Sequence, residues 1–380
     1  MNADSLRQLC SKHSIGTVVS RVENGLPDWI YDDGGLRNTK ADYFSLGLYV
    51  QEEGDSLLLM RQKETALVML LVCNIGGQDN LLLSLRTEPG LIGLTNYSTT
   101  IQSTPSNYLR KHGGKSTPFI QFAIDPGYKG NILYEGTHHD WGDYYLNKTK
   151  KFLIVELESP VKAPTGFCWV TLETANVLLG ENHLVTNDLR VAIPLLNARG
   201  ASNSVGSEGE RSLEGSRQLL RTIELSPGAI DSRGTGVSFF KTETETREVG
   251  SWVQPLLIPK SNMKISLAFA NSPQGRIYAI EERTQPGLLG HQLWFPVNKD
   301  NGKVVRSVKT SAEGGRFWRH QIEIELIEIE NPYDAAADAG VSERWVSEQS
   351  LSLLVSQSLQ TSLELRMAWS LAYAGGVDAP

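Results

Sequence analysis

Apolar residues along this chain fall mostly into short runs, with few long helical stripes. Residues 67–73 and 81–85 are two such runs, separated by Asn74-Ile75-Gly76-Gly77-Gln78-Asp79. A polar, glycine-bearing connection between apolar runs predicts a β-hairpin. Residues 264–270 and 275–282 repeat the arrangement around Asn271-Ser272-Pro273-Gln274. Ile322, Ile324 and Leu326 alternate with Glu323 and Glu325, which predicts a strand with one wet face. The pattern changes late in each half. Residues 172–179 and 189–196, then 347–356 and 362–372, read as helices, with Pro194 expected to shorten the second of them. Residues 4–13 read as a short polar helix. Strands first and helices after, twice over, predict an α+β architecture and not a βαβ one.

The chain also says nearly the same thing twice. Arg86-Thr87-Glu88-Pro89-Gly90 returns as Arg283-Thr284-Gln285-Pro286-Gly287. Gly142 to Glu156 and Gly314 to Glu328 both span 14 positions, and Trp169 to Arg190 and Trp345 to Arg366 both span 21. Order, residue type and spacing are kept together, so internal duplication is the simplest account. The repeat is far longer than a solenoid or propeller period. The expected division is a first unit over 1–197, a flexible linker over 198–219 that is poor in apolar residues, and a second unit over 220–380. The tail 375–380 should fray.

Composition narrows the function. With 380 residues and 40% apolar content the chain can build ordinary cores. A net charge of −7 argues against binding nucleic acid, which needs basic surface. No apolar run reaches the roughly 18 residues of a membrane span. The N-terminus lacks a signal-peptide apolar region. Cys10, Cys73 and Cys168 are an odd, widely spaced set, expected as reduced, mostly buried thiols of a cytoplasmic protein.

Several groupings carry candidate chemistry. The loop over 95–114 gathers Gln102, Ser103, Ser106, Asn107, Tyr108, Arg110, Lys111 and His112, which suits either a solvated connection or a binding surface. Arg86 and Glu88 precede Pro89-Gly90, so Glu88 is either a site carboxylate or the partner of Arg86. Glu313, Gly314, Gly315 and Arg316 allow close backbone approach to a ligand, or a bulge. Trp252 reads as core and Gln254 as a contact residue. His138-His139 beside Asp140 and Asp143 suggests a metal only weakly, because adjacent strand residues face opposite ways. His183, His291 and His320 carry no spacing signal.

These motifs resemble the NDP-hexose 2,3-dehydratase family. Its first half carries "EPG … SPTVQATRSNY … HGG", which matches Glu88-Pro89-Gly90 and then Ser98 through Gly114. Its second half carries "SSWSQPLL" and "SEEGGRF", matched by Gly250-Ser251-Trp252-Val253-Gln254-Pro255-Leu256-Leu257 and by Ser311 through Phe317. Asp28-Trp29-Ile30 to Tyr43-Phe44-Ser45 resembles the family opening. There are departures. Gly287 to Gly314 spans 27 positions where Gly90 to Gly142 spans 52, so most of the second polar loop is missing.

The resemblance implies two fused Nudix-like mixed-sheet units with flanking helices. The glutamate-rich helix of a hydrolytic Nudix box is absent, so metal-dependent pyrophosphatase chemistry is not expected. The implied reaction is a β-elimination on a dTDP-4-keto-6-deoxyhexose. A base takes the C3 proton, the C2 hydroxyl leaves with an acid's help, and no metal or cofactor is needed. On this reading Tyr108, His112 and Glu88 are catalytic. Arg86, Gln102, Ser106, Asn107, Arg110, Lys111, Trp252, Gln254, Glu313, Gly314 and Arg316 bind substrate, with Arg110 and Lys111 facing the diphosphate. The alternatives are a relative acting on a non-sugar intermediate and a non-catalytic ligand-binding or scaffold protein. A homodimer is expected from the family and from the apolar Leu353, Leu354, Leu363, Leu365, Met367 and Trp369.

Overall fold

The computed structural model describes residues 3–23, 28–40, 43–51, 54–111, 114–125, 127–128, 130–198, 220–247, 249–299, 301–330 and 343–374. The expected linker beyond Ala198, the tail and His112 lie outside these residues. The chain opens with α1 (Ala3–His13), which buries Leu6 and Cys10, so the helix is amphipathic and docked. Strands β1 (Val18–Val22), β2 (Trp29–Asp32), β3 (Gly35–Asn38), β4 (Ser45–Val50) and β5 (Ser56–Arg61) follow. The expected hairpin is β6 (Ala66–Ile75) and β7 (Gln78–Thr87). Next come β8 (Thr95–Ser98), β9 (Ile101–Ser103) and the short helices α2 (Pro105–Tyr108) and α3 (Gln121–Ile124). Strands β10 (Asn131–His139), β11 (Tyr145–Leu146), β12 (Thr149–Leu157) and β13 (Phe167–Thr171) lead to α4 (Leu172–Leu179) and α5 (Asn187–Asn197).

The second half runs β14 (Arg221–Ile223), β15 (Gly236–Glu243), β16 (Ser251–Ile258), β17 (Met263–Ser272) and β18 (Gly275–Arg283). It continues with β19 (Leu293–Pro296), β20 (Lys303–Ser311), β21 (Gln321–Glu328) and β22 (Glu343–Ser347). It closes with α6 (Glu348–Ser356) and α7 (Leu363–Tyr373). The fold is α+β.

The main sheets of the two halves repeat each other. The first main sheet has the order β10-β12-β6-β7-β13, and the second β20-β21-β17-β18-β22. In each, one pair is parallel, β12 with β6 and β21 with β17. Each edge strand carries a register shift at the same place, between Ile132 and Tyr134 and between Val304 and Arg306. The closing helices share their caps: the hydroxyls of Thr171, Thr186, Ser347 and Ser362 each accept from the backbone N–H three residues on. The first half alone inserts α2 and α3, which accounts for the longer spacing between Gly90 and Gly142.

The halves meet through reciprocal contacts, as twofold packing requires. The Gly90 N–H donates to the Gly314 carbonyl at 2.8 Å, and the Gly287 N–H to the Gly142 carbonyl at 2.6 Å. A Cβ on Gly90 would lie 1.6 Å from the Phe317 oxygen, and one on Gly287 1.9 Å from the Tyr145 oxygen. Glycine is obligatory at both. Trp141, Tyr144, Tyr145 and Phe317 pack edge to face across this joint. One continuous core includes Leu70, Ile154, Leu267, Ile324 and the buried faces of α5 and α7. Two strands also trade sides: β1 pairs with β15, and β14 with β4.

Three local expectations need correction. Pro194 does not shorten its helix, which runs on to Asn197; the ring removes one backbone donor, and burial of ten of the eleven residues holds the helix together. Glu325 is not on a wet face but is buried, with Lys264 at 2.9 Å. The apolar face of α7 is not left open for a second subunit, because Leu363, Leu365, Met367 and Trp369 are buried within this chain, where α7 packs on α5 and the second sheet.

Candidate active site

Five charged side chains converge where the halves meet. β12 is apolar on its inward face at Phe152 and Ile154, and Lys150 continues that face, with Lys148 two residues earlier. The sheet therefore drives two lysines into the core, where they need anionic partners. Lys148 Nζ lies 3.0 Å from Asp140 Oδ2 and 2.8 Å from Glu313 Oε2. Lys150 Nζ lies 2.8 Å from Asp188 Oδ1 and 3.1 Å from Asp140 Oδ2. Tyr145 donates its hydroxyl to Glu313 at 2.9 Å, and Lys148 stands 3.8 Å over the Tyr145 ring.

Protonation in the cluster is uneven. Burial works to raise Asp140 and Glu313, yet the lysines hold both carboxyls below their ordinary range. Burial wins at Asp188, whose carboxyl is raised despite Lys150. Lys150 is pushed well up because Asp140, Asp188 and Glu313 overcome its burial. Tyr145 is raised by burial and by Glu313.

A cavity of about 10 Å³, room for roughly one water, touches this cluster. Its polar lining includes Glu88, Gln102, Asp140, Lys150, Asp188 and Glu313. Glu88 is buried, with Arg86 Nε at 2.7 Å and Arg247 Nη1 at 3.5 Å. Arg86 also donates to the Gln102 carbonyl at 2.9 Å, and the Gln102 side chain accepts from Ser98. Glu88 thus pairs with Arg86 and also lines the cavity.

The expected site residues divide into two groups. Arg86, Glu88, Gln102, Glu313 and Gly314 gather at the joint. Gln254 reaches it by donating to the Gly315 carbonyl at 3.0 Å. Trp252 is half-buried and not core; its indole donates to Gln254 at 3.1 Å, and Arg247 lies over its ring. Arg316 stacks 4.1 Å over Phe44 and donates to Gln62. The α2 group lies elsewhere. Ser106 donates both its backbone N–H and its hydroxyl to Glu64, and Lys111 Nζ is 3.9 Å from the same carboxylate. Arg110, at φ +57°, donates to the Gly114 carbonyl, and it is exposed together with Asn107 and Lys111. Tyr108 packs on an apolar cluster, its hydroxyl raised by burial and by Glu64. Gln62 donates to the Glu64 carbonyl, so a single loop joins Arg316 to the α2 group.

Sequence reasoning missed Lys148, Lys150, Asp188, Tyr145, Glu64 and Arg247 as site residues. A signal for the lysines existed: they sit at period two with Phe152 and Ile154 in an apolar run. Asp140, which the sequence offers only as a weak metal candidate, pairs with both lysines. His138 instead shares a 2.6 Å contact with the Tyr134 hydroxyl, and the His139 ring lies tilted beside that of His291. Among the described residues no group of three His, Cys, Asp or Glu is placed to hold a metal. No described helix is long and apolar enough to cross a membrane.

Comparison with known proteins bears on this arrangement. Residues 12–196 match the family model for NDP-hexose 2,3-dehydratase. A dTDP-4-dehydro-6-deoxy-alpha-D-glucopyranose 2,3-dehydratase of Streptomyces violaceoruber is 28% identical over 351 residues, covering 77% of this chain and 79% of that one. The enzyme of the same name from Saccharopolyspora spinosa is 24% identical over 359 residues, covering 76% and 72%. A Nudix hydrolase from M. smegmatis, RenU, aligns with 33% of this chain and 80% of its own at 15% identity, with a TM-score of 0.19, too slight to bear on the fold. With the family pattern matched over residues 12–196 and relatives aligned over three quarters of its length, the chain is similar to the NDP-hexose 2,3-dehydratase family.

Proposed function

We propose that this chain is a carbon–oxygen lyase that removes the C2 hydroxyl of a dTDP-4-keto-6-deoxyhexose in deoxysugar biosynthesis. The observation that carries this reading is a shared cavity. The stretch matching the family model supplies Glu88, Gln102, Lys150 and Asp188, and the second half supplies Glu313 and Gly314. A β-elimination needs a group to take the C3 proton, donors toward the C4 oxygen and an acid for the leaving hydroxyl. Glu88 is the carboxylate nearest the family motif and serves as the base. Tyr108 or His112 serves the leaving hydroxyl. Arg86, Arg247, Gln254, Trp252 and Arg316 frame the sugar end, with Gln102 and Glu313 beside the cavity. Ser106, Asn107, Arg110 and Lys111 supply donors for the diphosphate. The chemistry proceeds without metal or cofactor.

The same reading divides the chain into units 1–197 and 220–380 joined by 198–219, and makes the enzyme a cytoplasmic homodimer. Its test is direct. The purified protein, given dTDP-4-keto-6-deoxyglucose deuterated at C3, should strip the deuterium from C3 and yield a product lighter by one water. Glu88→Gln should lower both rates ~10²-fold or more. A wild-type protein that leaves deuterium on C3 would defeat the assignment.

A further inference from the structure

We infer that Asp188, held by Lys150, is the internal proton store of this site and exchanges a proton with Glu88 across the cavity between them. The inference rests on the dehydratase reading for its purpose, but not for its geometry. Asp188 stands in the first turn of α5 and is 2% exposed. Its Oδ1 is engaged by Lys150 at 2.8 Å, whereas its Oδ2 has no hydrogen-bond partner among the described residues. A buried carboxylate oxygen without a donor is costly unless a proton or a water completes it. Asp188 and Glu88 line the same water-sized cavity. The elements packed around Asp188 bring Lys150 and Lys148 from the β12 side, Asp140 after β10, Glu313 from the second half and Arg366 from α7. Three carboxylates thus face two ammonium groups and one guanidinium, and the place for a further proton is Asp188 Oδ2, which no donor reaches among the described residues. Asp188 is the member whose burial favours holding it.

The step balances without another reactant. Glu88 takes the C3 proton, and the C–H electron pair moves into the enolate toward the C4 oxygen. Glu88 passes that proton through a cavity water to Asp188 Oδ2, which returns Glu88 to its ionised form. The enolate pair then expels the C2 oxygen, which leaves as water after taking a proton from the acid. When the enol becomes the diketone, its O3 proton goes to the deprotonated acid and restores it, and C2 accepts a proton supplied from Asp188 by the reverse path. Asp188 touches no substrate atom and is a positioning and relay residue.

The test uses the full-length protein and two readouts. Infrared difference spectra of protein labelled with carboxyl-¹³C aspartate should show a protonated carboxyl that titrates, absent from Asp188→Asn. In Glu88→Gln its midpoint should move by about one pH unit, because interacting sites share their titration. In turnover, Asp188→Asn should lower kcat about 10- to 100-fold with KM within about twofold, and flatten one limb of the pH profile. An unmoved midpoint in Glu88→Gln, or a slower Asp188→Asn enzyme with the wild-type pH profile, would overturn the relay. If the wild-type protein does not dehydrate the sugar, the functional reading fails separately and the infrared midpoints alone decide this one.

Discussion

The joint beneath Glu88 and the joint beneath Gln285 have one backbone and two chemistries. Both are closed by a glycine N–H on a glycine carbonyl, and both set a carboxylate in the first turn of a buried helix, Asp188 in α5 and Glu364 in α7. Where the first joint has Lys148 and Lys150, the repeat places His320 and Ile322 in the second. Asp140 corresponds to Ala312, and Glu88 to Gln285. The second joint therefore has no lysine with which to hold its acids charged. Its Gln285 amide donates to Asp143 at 3.0 Å and to Glu364 at 2.6 Å. Burial and Asp143 push Glu364 up to about 7, and burial drives His320 down to about 4. Close backbone approach fixes the glycines in both copies, while the side chains around them are free to diverge.

The sharpest way to break the comparison is to give the first joint the second's composition. Lys150→Met leaves Asp188 buried without its cation while Asp140 keeps Lys148, and should cost about 3–5 kcal/mol. The cost should shrink in acid, where the carboxylates protonate, and denaturant melts at pH 5 and 8 measure it. Next in size are the glycines. Gly90→Ala and Gly287→Ala should each cost about 3 kcal/mol, since a Cβ meets backbone oxygen in both. Unequal losses would break the equivalence of the two joints.

Glu364 sharpens the contrast through pH. Its folded-state carboxyl is raised above the unfolded value, so ionisation opposes folding. The penalty is absent below about pH 4.5, grows as pH rises toward 7 and is complete above it, reaching roughly 3 kcal/mol. Glu364→Gln should therefore stabilise the protein at pH 8 and change little at pH 4.5. A melting-temperature gain that is the same at both pH values would reject this. The smallest effect concerns the loop that only the first half owns. Arg110→Ala should weaken dTDP binding by about 2 kcal/mol in calorimetry, with no change in melting temperature, because Arg110 is exposed and bonds only locally.

What could be read in the sequence follows the same division. The hairpins of β6–β7 and β17–β18 announced themselves, because apolar runs around a polar turn have one economical solution. The four closing helices did too, as apolar stretches that end each half. Asp188 and Lys150 were not legible as a pair: 38 positions separate them, and only the parallel register of β12 against β6, beneath α5, sets them side by side. The core role of α7 was hidden for a similar reason. An apolar helix face signals burial but not which surface covers it, and here α5 of the first half and the second sheet cover it together. The pairing of Ser106 with Glu64 depended on a loop from another part of the chain that no local pattern names.

The traded strands have a consequence for how the chain is made. β1 is completed at Phe239–Glu243, more than two hundred residues after it leaves the ribosome. At ordinary elongation rates that is a delay on the order of ten to forty seconds. Throughout it, β1 lacks its partner strand and the first half lacks β14. A nascent first half is thus an unfinished sheet with bare edges, prone to stick to its neighbours. The length of that exposure, set by where two short strands fall in the message, makes early chaperone protection and slow, cool expression the conditions under which this protein should accumulate intact.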